Sequence, residues 1–317
     1  MKYNIPNDTG APWRWNKLIE ACKLEEIVKD DPSPSIALKI WADGHKCGNE
    51  ERFWLSFLYG LTYSTATTLQ IFSRFPTLKY AIHNFGTLNQ YWLKNKKRLY
   101  FNRDRRYVQS NNQFCNSIKS LHNWCGDYPY ETIVQYMTDT RLYNEIVKGW
   151  NYFGRHAAFL FFDAYSLLLN DGKCDLAVIP DWKQASTIAK GLACATYDDD
   201  LLLRAEQNKL TKHDCFKLDG LMEKLLEDTV MDLNEVESTI CAYYKLFKGT
   251  RYFGYYIDRF QDELIKCKKN GYDKGLIREL YEIRKEINPH EYLGELNDWN
   301  GIQKSRCKSW LLRGEFR

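Results

Sequence analysis

The sequence lacks the short motifs that mark several large enzyme classes. It contains no GxxxxGKS/T and no GxGxxG stretch, the glycine-rich loops that bind phosphate groups. It also contains neither GxSxG nor HExxH, the motifs of nucleophilic serines and of zinc-protease helices. Hydrolysis of nucleoside triphosphates and zinc-protease chemistry are therefore unsupported, and function has to be inferred from longer segments.

Paired cysteines at zinc-binding spacing are also missing. The ten cysteines are scattered, and no two of them are spaced as CxxC. His122 precedes Cys125 by three residues, but no second ligand pair completes a zinc site. We therefore expect reduced thiols and no metal bound by the cysteines, and we assign no metal-ligating residue.

Long hydrophobic runs are absent too. No stretch reaches the roughly 18 apolar residues that span a bilayer, and the longest candidate, residues 157–169, is interrupted by Asp163. The first residues, Met1 to Pro6, have no apolar stretch of the kind found in signal peptides. We expect a soluble, cytoplasmic protein with no membrane partner.

Strand-like alternation of apolar and polar residues is nearly absent, and helical spacing takes its place. Residues 176–179 are the best strand candidate and are few. Residues 53–61, 150–168 and 218–226 instead repeat apolar side chains along one helical face. The pattern predicts an all-α protein built as a single large helical domain.

Proline usage separates the beginning of the chain from the rest. Four of the eight prolines fall within residues 4–34, and no later break is long or polar enough to be a linker. We expect an N-terminal arm over residues 1–45 and a helical catalytic core over residues 46–265. Residues 266–317 are expected to form a helical C-terminal extension packed on the core.

The most informative segment is a run of cations interleaved with aromatic residues, 91–107, called the basic run below. Between residues 94 and 107 it has seven Lys and Arg against one acid, Asp104, although the whole chain carries a net charge of only +4. Because cations neutralise phosphates and rings stack on bases, the pattern favours nucleic-acid binding. The alternative is a solvated helix face with extended lysine side chains.

A second segment, residues 251–264, places polar groups on one side of a predicted helix. At about 100° per residue, four side chains fall on one face: Arg251, Tyr255, Asp258 and Asp262. The opposite, apolar face is expected to dock on the core. The polar face is either a row of ordinary ion pairs in solvent or part of a site.

A third segment, residues 150–165, is apolar nearly all round and predicts a central, buried helix. Asp163 lies seven residues after His156 and therefore on almost the same side of that helix. A carboxylate buried among phenylalanines needs a cation or several donors, such as Arg155, His156 or an arginine among residues 103–106. Asp163 is either part of a core ion pair or a site carboxylate with a perturbed pKa.

Three consecutive aspartates, Asp198 to Asp200, are similar to the magnesium-diphosphate sites of isoprenoid enzymes. Three leucines follow them, so the DDxxD spacing of those sites fails. An acidic helix N-terminus is the simpler interpretation.

Four segments together resemble those of a phage family. They are Phe53–Ser64, Arg98–Tyr107, Tyr152–Phe159 and Arg251–Arg259. The family is that of the amino acid:DNA transferases, also called α-glutamyl/putrescinyl thymine pyrophosphorylases (clade 2). The resemblance covers about residues 50–265 and rests on the order of the motifs.

The resemblance implies a helical fold distantly similar to helix-hairpin-helix DNA glycosylases. It also implies activity on phage DNA in the cytoplasm of the infected bacterial host. There, a separate kinase activates 5-hydroxymethyluracil in the duplex as a pyrophosphate ester, and the transferase displaces pyrophosphate with an amino acid or putrescine. The glycosylase hairpin LPGVGxxTA has no clear counterpart here, the nearest stretch being residues 60–67.

This chemistry assigns candidate roles to particular side chains. A flipped base needs a ring-walled pocket, departing pyrophosphate needs guanidinium groups, and the incoming ammonium needs a carboxylate base. The candidate base-pocket residues are Tyr63, Tyr152 and Tyr255. The candidate catalytic residues are Asp163 and Asp258, as alternative bases, with Arg155 and Arg251. The candidate phosphate- and DNA-binding residues are Arg98, Arg103, Asp104, Arg105, Arg106 and Arg259.

The expected partners are DNA and a small amine or amino acid. No cofactor is required, and the sequence neither requires nor excludes Mg²⁺. Two other functions stay open: a DNA glycosylase or lyase of the same helical class, and a non-catalytic DNA-binding phage protein.

Overall fold

The computed structural model describes residues 8–110, 112–135, 147–169 and 180–287. Within these ranges the regular elements are all helical, which confirms the predicted all-α class. The strand candidate at residues 176–179 and residues 288–317 of the predicted extension lie outside them. No helix in the described part of the chain combines the length and the apolar character needed to cross a membrane.

The α-helices, numbered in chain order within the described residues, are α1 (Ala11–Val28), α2 (Ser33–Gly44), α3 (Asn49–Thr62), α4 (Thr65–Phe72), α5 (Leu78–His83), α6 (Phe85–Asn95), α7 (Gln113–Cys125), α8 (Pro129–Val134), α9 (Arg155–Leu169), α10 (Ser186–Ala195), α11 (Asp199–Glu206), α12 (Lys212–Asp228), α13 (Leu233–Phe247), α14 (Tyr255–Lys269) and α15 (Lys274–Ile287). Two 3₁₀ helices accompany them, Arg103–Gln109 and Val147–Gly149.

The described chain divides into two compact units. Unit 1 contains residues 8–31 and 180–259, and unit 2 contains residues 32–169 and 260–287, with the gaps given above. Helix α14 crosses the division, since Tyr255–Arg259 belong to unit 1 and the residues from Phe260 onward to unit 2. The division into arm, core and extension stays a prediction.

Unit 1 is built around the close packing of α10 on α13. Gly191 permits this approach, because a Cβ atom at that position would lie 2.5 Å from both the Cγ2 atom and the carbonyl oxygen of Ile240. Helices α12 and α13 begin with reciprocal capping boxes, in which Thr211 pairs with Asp214 and Asp232 pairs with Glu235. These caps satisfy backbone N–H groups that a helix start otherwise leaves without partners.

The acidic run in unit 1 marks the start of a helix. Asp198 is the N-cap of α11, and its side chain accepts a hydrogen bond from the Leu201 N–H at 2.8 Å. Asp199 and Asp200 occupy the first turn, where negative charge is stabilised by the helix dipole. The interpretation of this run as a helix N-terminus is confirmed.

Unit 2 is built around the pair formed by α3 and α9. The rings of Phe57 and Phe153 stack with their centroids 5.2 Å apart, and Phe153 is buried. Gly60 lies at the closest approach, because a Cβ atom there would be 2.8 Å from the Phe153 ring and 2.9 Å from the Ala157 carbonyl oxygen. The prediction of a central, largely buried helix is confirmed for α9, although the helix begins at Arg155 and not at residue 150.

Replacing Gly60 with Ala should destabilise the protein. The added methyl group would force α3 and α9 apart, and overpacking of this kind costs about 1–3 kcal/mol. The matched control is Gly220→Ala, because Gly220 is also helical but exposed, and a methyl group added there would meet no atom within 4 Å. That control should be neutral or stabilising by up to about 1 kcal/mol, and urea unfolding of both variants would measure the difference.

Candidate functional site

Three segments of unit 2 meet at the end of α3. The N–H of Asn102, just before the first 3₁₀ helix, donates to the carbonyl of Thr62, the last residue of α3, at 3.4 Å. The hydroxyl of Tyr107, within that 3₁₀ helix, donates to the carbonyl of Tyr152 at 3.1 Å. The C-terminal end of α3, the 3₁₀ helix and the loop before α9 are thereby held together.

The aromatic rings at this junction come from the same three segments. Tyr63, which caps α3 with a left-handed φ of 48°, packs its ring edge-on against His156 with the centroids 5.8 Å apart. Tyr152 also has a left-handed backbone, with φ at 60°, and its side chain is exposed. Two of the three predicted base-pocket residues, Tyr63 and Tyr152, therefore lie on segments that meet in unit 2.

Arg105 points inward from the 3₁₀ helix. Only 3% of the residue is exposed, and its Nη1 donates to the hydroxyl of Tyr107 at 2.8 Å, while the ring of Tyr107 faces the guanidinium at 5.1 Å. Burial lowers the pKa of Arg105, and the nearby Tyr107 and Asp104 partly oppose that shift. Within the described chain, no carboxylate forms a salt bridge with it, and its Nε and Nη2 have no hydrogen-bond partner.

The other charged residues of the basic run point outward or are used in packing. Arg103, Asp104 and Arg106 are exposed. Arg98 is exposed but is held at a turn of unit 2, where its Nη2 donates to the carbonyl of Asn270 at 3.1 Å and the Asn270 amide donates back at 2.8 Å. The basic run thus divides into one enclosed guanidinium and a set of solvent-facing cations.

Helix α9 carries the remaining candidates of unit 2. Arg155 is its first residue and is half-buried, while the next residue, His156, is exposed. Asp163 lies on almost the same side as His156, about 10 Å further along the axis. The sequence predicts a carboxylate enclosed by phenylalanines, but Asp163 is only half-buried, so the predicted burial is too high. Asp163 therefore keeps some solvent-exposed surface.

The polar residues of segment 251–264 are arranged differently from the prediction. Helix α14 begins at Tyr255, so Arg251 precedes the helix instead of lying on its face. Asp258 has no exposed surface and accepts a hydrogen bond from the hydroxyl of Tyr252. The prediction that Arg251, Tyr255, Asp258 and Asp262 form one polar helix face is therefore wrong for Arg251, which precedes the helix, and for Asp258, which is buried in its first turn.

The aromatic residues at the start of α14 pack against arginines. The guanidinium of Arg251 lies 5.0 Å from the ring centre of Tyr255 and 4.4 Å from that of Tyr256. The guanidinium of Arg259 lies 5.6 Å from the same Tyr256 ring. Tyr255, Arg251, Asp258 and Arg259 thus belong to one cluster in unit 1, whereas Tyr63, Tyr152, Arg105 and Arg155 belong to unit 2.

Sequence analysis missed a buried carboxylate in unit 1. Asp30 follows α1, which ends at Val28, and its Oδ1 accepts hydrogen bonds from the N–H groups of Tyr256 at 2.8 Å and Ile257 at 2.9 Å. It therefore caps α14 from a position 226 residues earlier in the chain. No local pattern reveals such a partner, since N-cap preferences concern neighbouring residues.

Burial controls the ionisation of this carboxylate. It raises the pKa of Asp30 to about 7; the Ile257 N–H opposes that rise, as does Arg251, while Asp31 and Asp258 add to it. Burial, followed by the charges of Asp30 and Asp31, also raises the pKa of Glu25 well above its usual value. Unit 1 therefore holds acids that favour the protonated state.

The free energy of unfolding should depend on pH because of the titration of Asp30. In the unfolded chain this carboxyl loses its proton near its ordinary pKa of 3.8, but in the folded protein only near pH 7. Folding thus favours the protonated form, so its stabilisation is present below about pH 4 and is lost as the pH rises to about 7. Asp30→Asn keeps a side-chain oxygen for the cap without the titration. Urea unfolding between pH 4 and 7 should give a flatter profile for Asp30→Asn than for the parent, and parallel profiles would contradict the assignment.

Comparison with known proteins adds one line of evidence. The chain is 26% identical over 241 residues to a protein named Serinyltransferase from Salmonella phage ViI. The similarity is to a phage amino-acid transferase. The matched part covers 68% of this chain and 58% of that protein, so the chain spans little more than half of its relative's length.

No protein-family model and no solved structure gives a significant match. The similarity to Serinyltransferase therefore supports a distant relationship to phage amino-acid transferases.

Proposed function

We propose that the protein is a phage DNA-modifying transferase that attaches an amino acid to an activated thymine derivative. The acceptor is a 5-hydroxymethyluracil whose exocyclic oxygen carries pyrophosphate. The amine nitrogen attacks the exocyclic methylene carbon, the carbon–oxygen bond breaks, and pyrophosphate departs with the bonding electrons. The amine gives up a proton to a base, so atoms and charges balance.

The meeting of three chain segments in unit 2 is the observation that supports this proposal most. It brings the enclosed guanidinium of Arg105, the aromatic residues Tyr63 and Tyr152, and the N-terminal turn of α9 with Arg155 into one region. Departing pyrophosphate accumulates negative charge, which pre-positioned guanidinium groups stabilise. A base taken out of the duplex needs ring surfaces on which to stack.

We assign DNA backbone binding to the exposed cations of the basic run. Arg103 and Arg106 face solvent, as do Lys94 and Lys97 earlier in the basic run. Contacts of exposed cations with phosphates release counterions and make the affinity salt-dependent. Arg98 is a weaker candidate than the sequence implies, because it is tied to Asn270.

We assign the role of general base to Asp163. It is half-buried and lies on the same side of α9 as His156, which reaches Tyr63. Asp258 is less suited, because it has no exposed surface and holds the hydroxyl of Tyr252. We therefore give Asp258, with Arg251, Tyr255 and Arg259, a positioning role in unit 1.

Serine is the amine favoured by the name of the phage relative. Guanidinium groups supply the positive charge that pyrophosphate release needs, so the proposal includes no required metal. Adding a metal chelator should therefore leave the rate of amine transfer unchanged, and a loss of activity would show that Mg²⁺ is required.

The proposal can be tested with one reaction. The purified protein would be incubated with duplex DNA carrying pyrophosphorylated hydroxymethyluracil and with serine, glutamate or putrescine in parallel, followed by mass spectrometry of the nucleosides. A new nucleoside with the mass of the serine adduct is expected. Release of free base would identify a glycosylase instead, and unchanged nucleosides with all amines would overturn the enzymatic assignment.

A further inference from the structure

Two buried side chains at the start of the 3₁₀ helix in unit 2 offer hydrogen-bond donors that nothing in the described chain accepts. Arg105 is 3% exposed, and its Nε and Nη2 have no partner. Asn102 is 2% exposed, and its Nδ2 has no partner either. Buried donors without acceptors are costly, and a guanidinium without a carboxylate is especially so.

The orientation of the Asn102 amide is fixed by its neighbour. Its Oδ1 accepts the N–H of Asp104 at 3.4 Å as the cap of the 3₁₀ helix, so the other amide atom has to be the NH₂ group. The N–H of Arg105 donates to the carbonyl of Asn102 at 2.8 Å, which places the two residues three apart in one 3₁₀ turn. Residues at this spacing lie on one side of a 3₁₀ turn, and both Asn102 and Arg105 are buried.

We propose that Asn102 and Arg105 form a subsite for a phosphoryl oxyanion, and that the anion is the pyrophosphate leaving group. A phosphoryl group offers several acceptor oxygens, and a guanidinium binds two of them at once. The neutral amide of Asn102 adds a donor without adding repulsion. The identification of the anion as pyrophosphate rests on the proposed function, whereas the affinity for a phosphoryl group follows from the donors alone.

The enclosure of the subsite favours a small anion over the DNA backbone. A backbone phosphodiester carries two ester arms, and the strand on either side of it would have to enter with it. Pyrophosphate has free terminal oxygens and needs no such room. The hydroxyl of Tyr107, 43% exposed, holds the Nη1 side of the guanidinium, so the anion would bind at the Nε and Nη2 side. The exposed Arg103 and Arg106 are placed for the backbone instead.

The test is calorimetric titration of the full-length protein with inorganic pyrophosphate in the absence of DNA. Arg105→Met removes the charge at similar volume. Asn102→Asp keeps an oxygen to cap Asp104 but replaces the donor with a negative charge. Each should raise the Kd for pyrophosphate about tenfold or more, since each removes a charge-assisted or donor contact. Arg106→Met, an exposed cation of the same run, should change it by less than about twofold.

A second titration with unmodified duplex DNA identifies the source of the anion. Arg106→Met should weaken duplex binding, while Arg105→Met and Asn102→Asp should leave it nearly unchanged. The inference is overturned if the parent protein does not bind pyrophosphate, if Arg106→Met weakens that binding as much as the other variants, or if Arg105→Met acts on duplex binding alone. Pyrophosphate binding without amine transfer would support the subsite and contradict the proposed function. Amine transfer without pyrophosphate binding would support the proposed function and contradict the subsite.

Discussion

Arg105→Met should slow amine transfer strongly while making the protein more stable. Two nitrogens of the buried guanidinium have no partner among the described residues, and removing such groups should stabilise the fold by about 1–3 kcal/mol. Loss of one positioned donor to charge that develops during a reaction lowers the rate about 100- to 1,000-fold. Nucleoside mass spectrometry would measure the transfer rate, and urea unfolding would measure the stability.

The opposite signs of these two effects separate a functional role from a structural one. If Arg105 were retained to hold the fold together, its removal would reduce stability and activity in parallel. Arg106→Met is the matched control, because Arg106 belongs to the same 3₁₀ helix but is exposed. Its stability should stay within about 0.5 kcal/mol of the parent. The slope of the logarithm of its DNA-binding constant against the logarithm of salt concentration should become shallower by about one unit, because one phosphate contact is lost. A destabilised but active Arg105→Met would contradict the assignment.

The helical class was predictable because apolar residues recur at helical spacing over long segments, as in α3 and α9. The inward position of Arg105 was not predictable. Residues 103–109 form a 3₁₀ helix, a tighter turn than the α-helix, which buries Arg105 and Val108 and leaves Arg103 and Arg106 in solvent. A count of charges therefore identified the segment but not the one cation that differs from the others.

The cluster in unit 1 shows a second limit. The prediction for residues 251–264 assumed one continuous helix, but α14 begins only at Tyr255. The shift removes Arg251 from the helix and leaves Asp258 buried in its first turn. The partner that caps this helix, Asp30, comes from the other end of the chain. Contacts between residues more than two hundred positions apart produce no repeating pattern in a single sequence.

Asp163→Asn and Asp258→Asn should have contrasting effects. Asp163→Asn should lower the turnover number about 100- to 10,000-fold, as expected for the loss of a general base. Its stability should change less than that of Asp258→Asn, because Asp163 is only half-buried and a neutral amide fits the same space. Asp258→Asn should instead cost about 1–3 kcal/mol of stability, because a fully buried carboxylate that accepts the Tyr252 hydroxyl becomes an amide with two extra donors. Turnover numbers at saturating serine and urea unfolding curves would separate the two.

The pH dependence of transfer makes this contrast sharper. If a carboxylate accepts the amine proton, the parent protein should lose activity below the pKa of that carboxyl, and Asp163→Asn should lack this acidic limb. His156→Gln is the decisive companion, because His156 is exposed beside Tyr63 on the same side of α9. If Asp163→Asn retains full turnover while His156→Gln loses it, the imidazole is the base. If only Asp258→Asn loses turnover, after correction for the fraction of folded protein, the proton acceptor lies in unit 1.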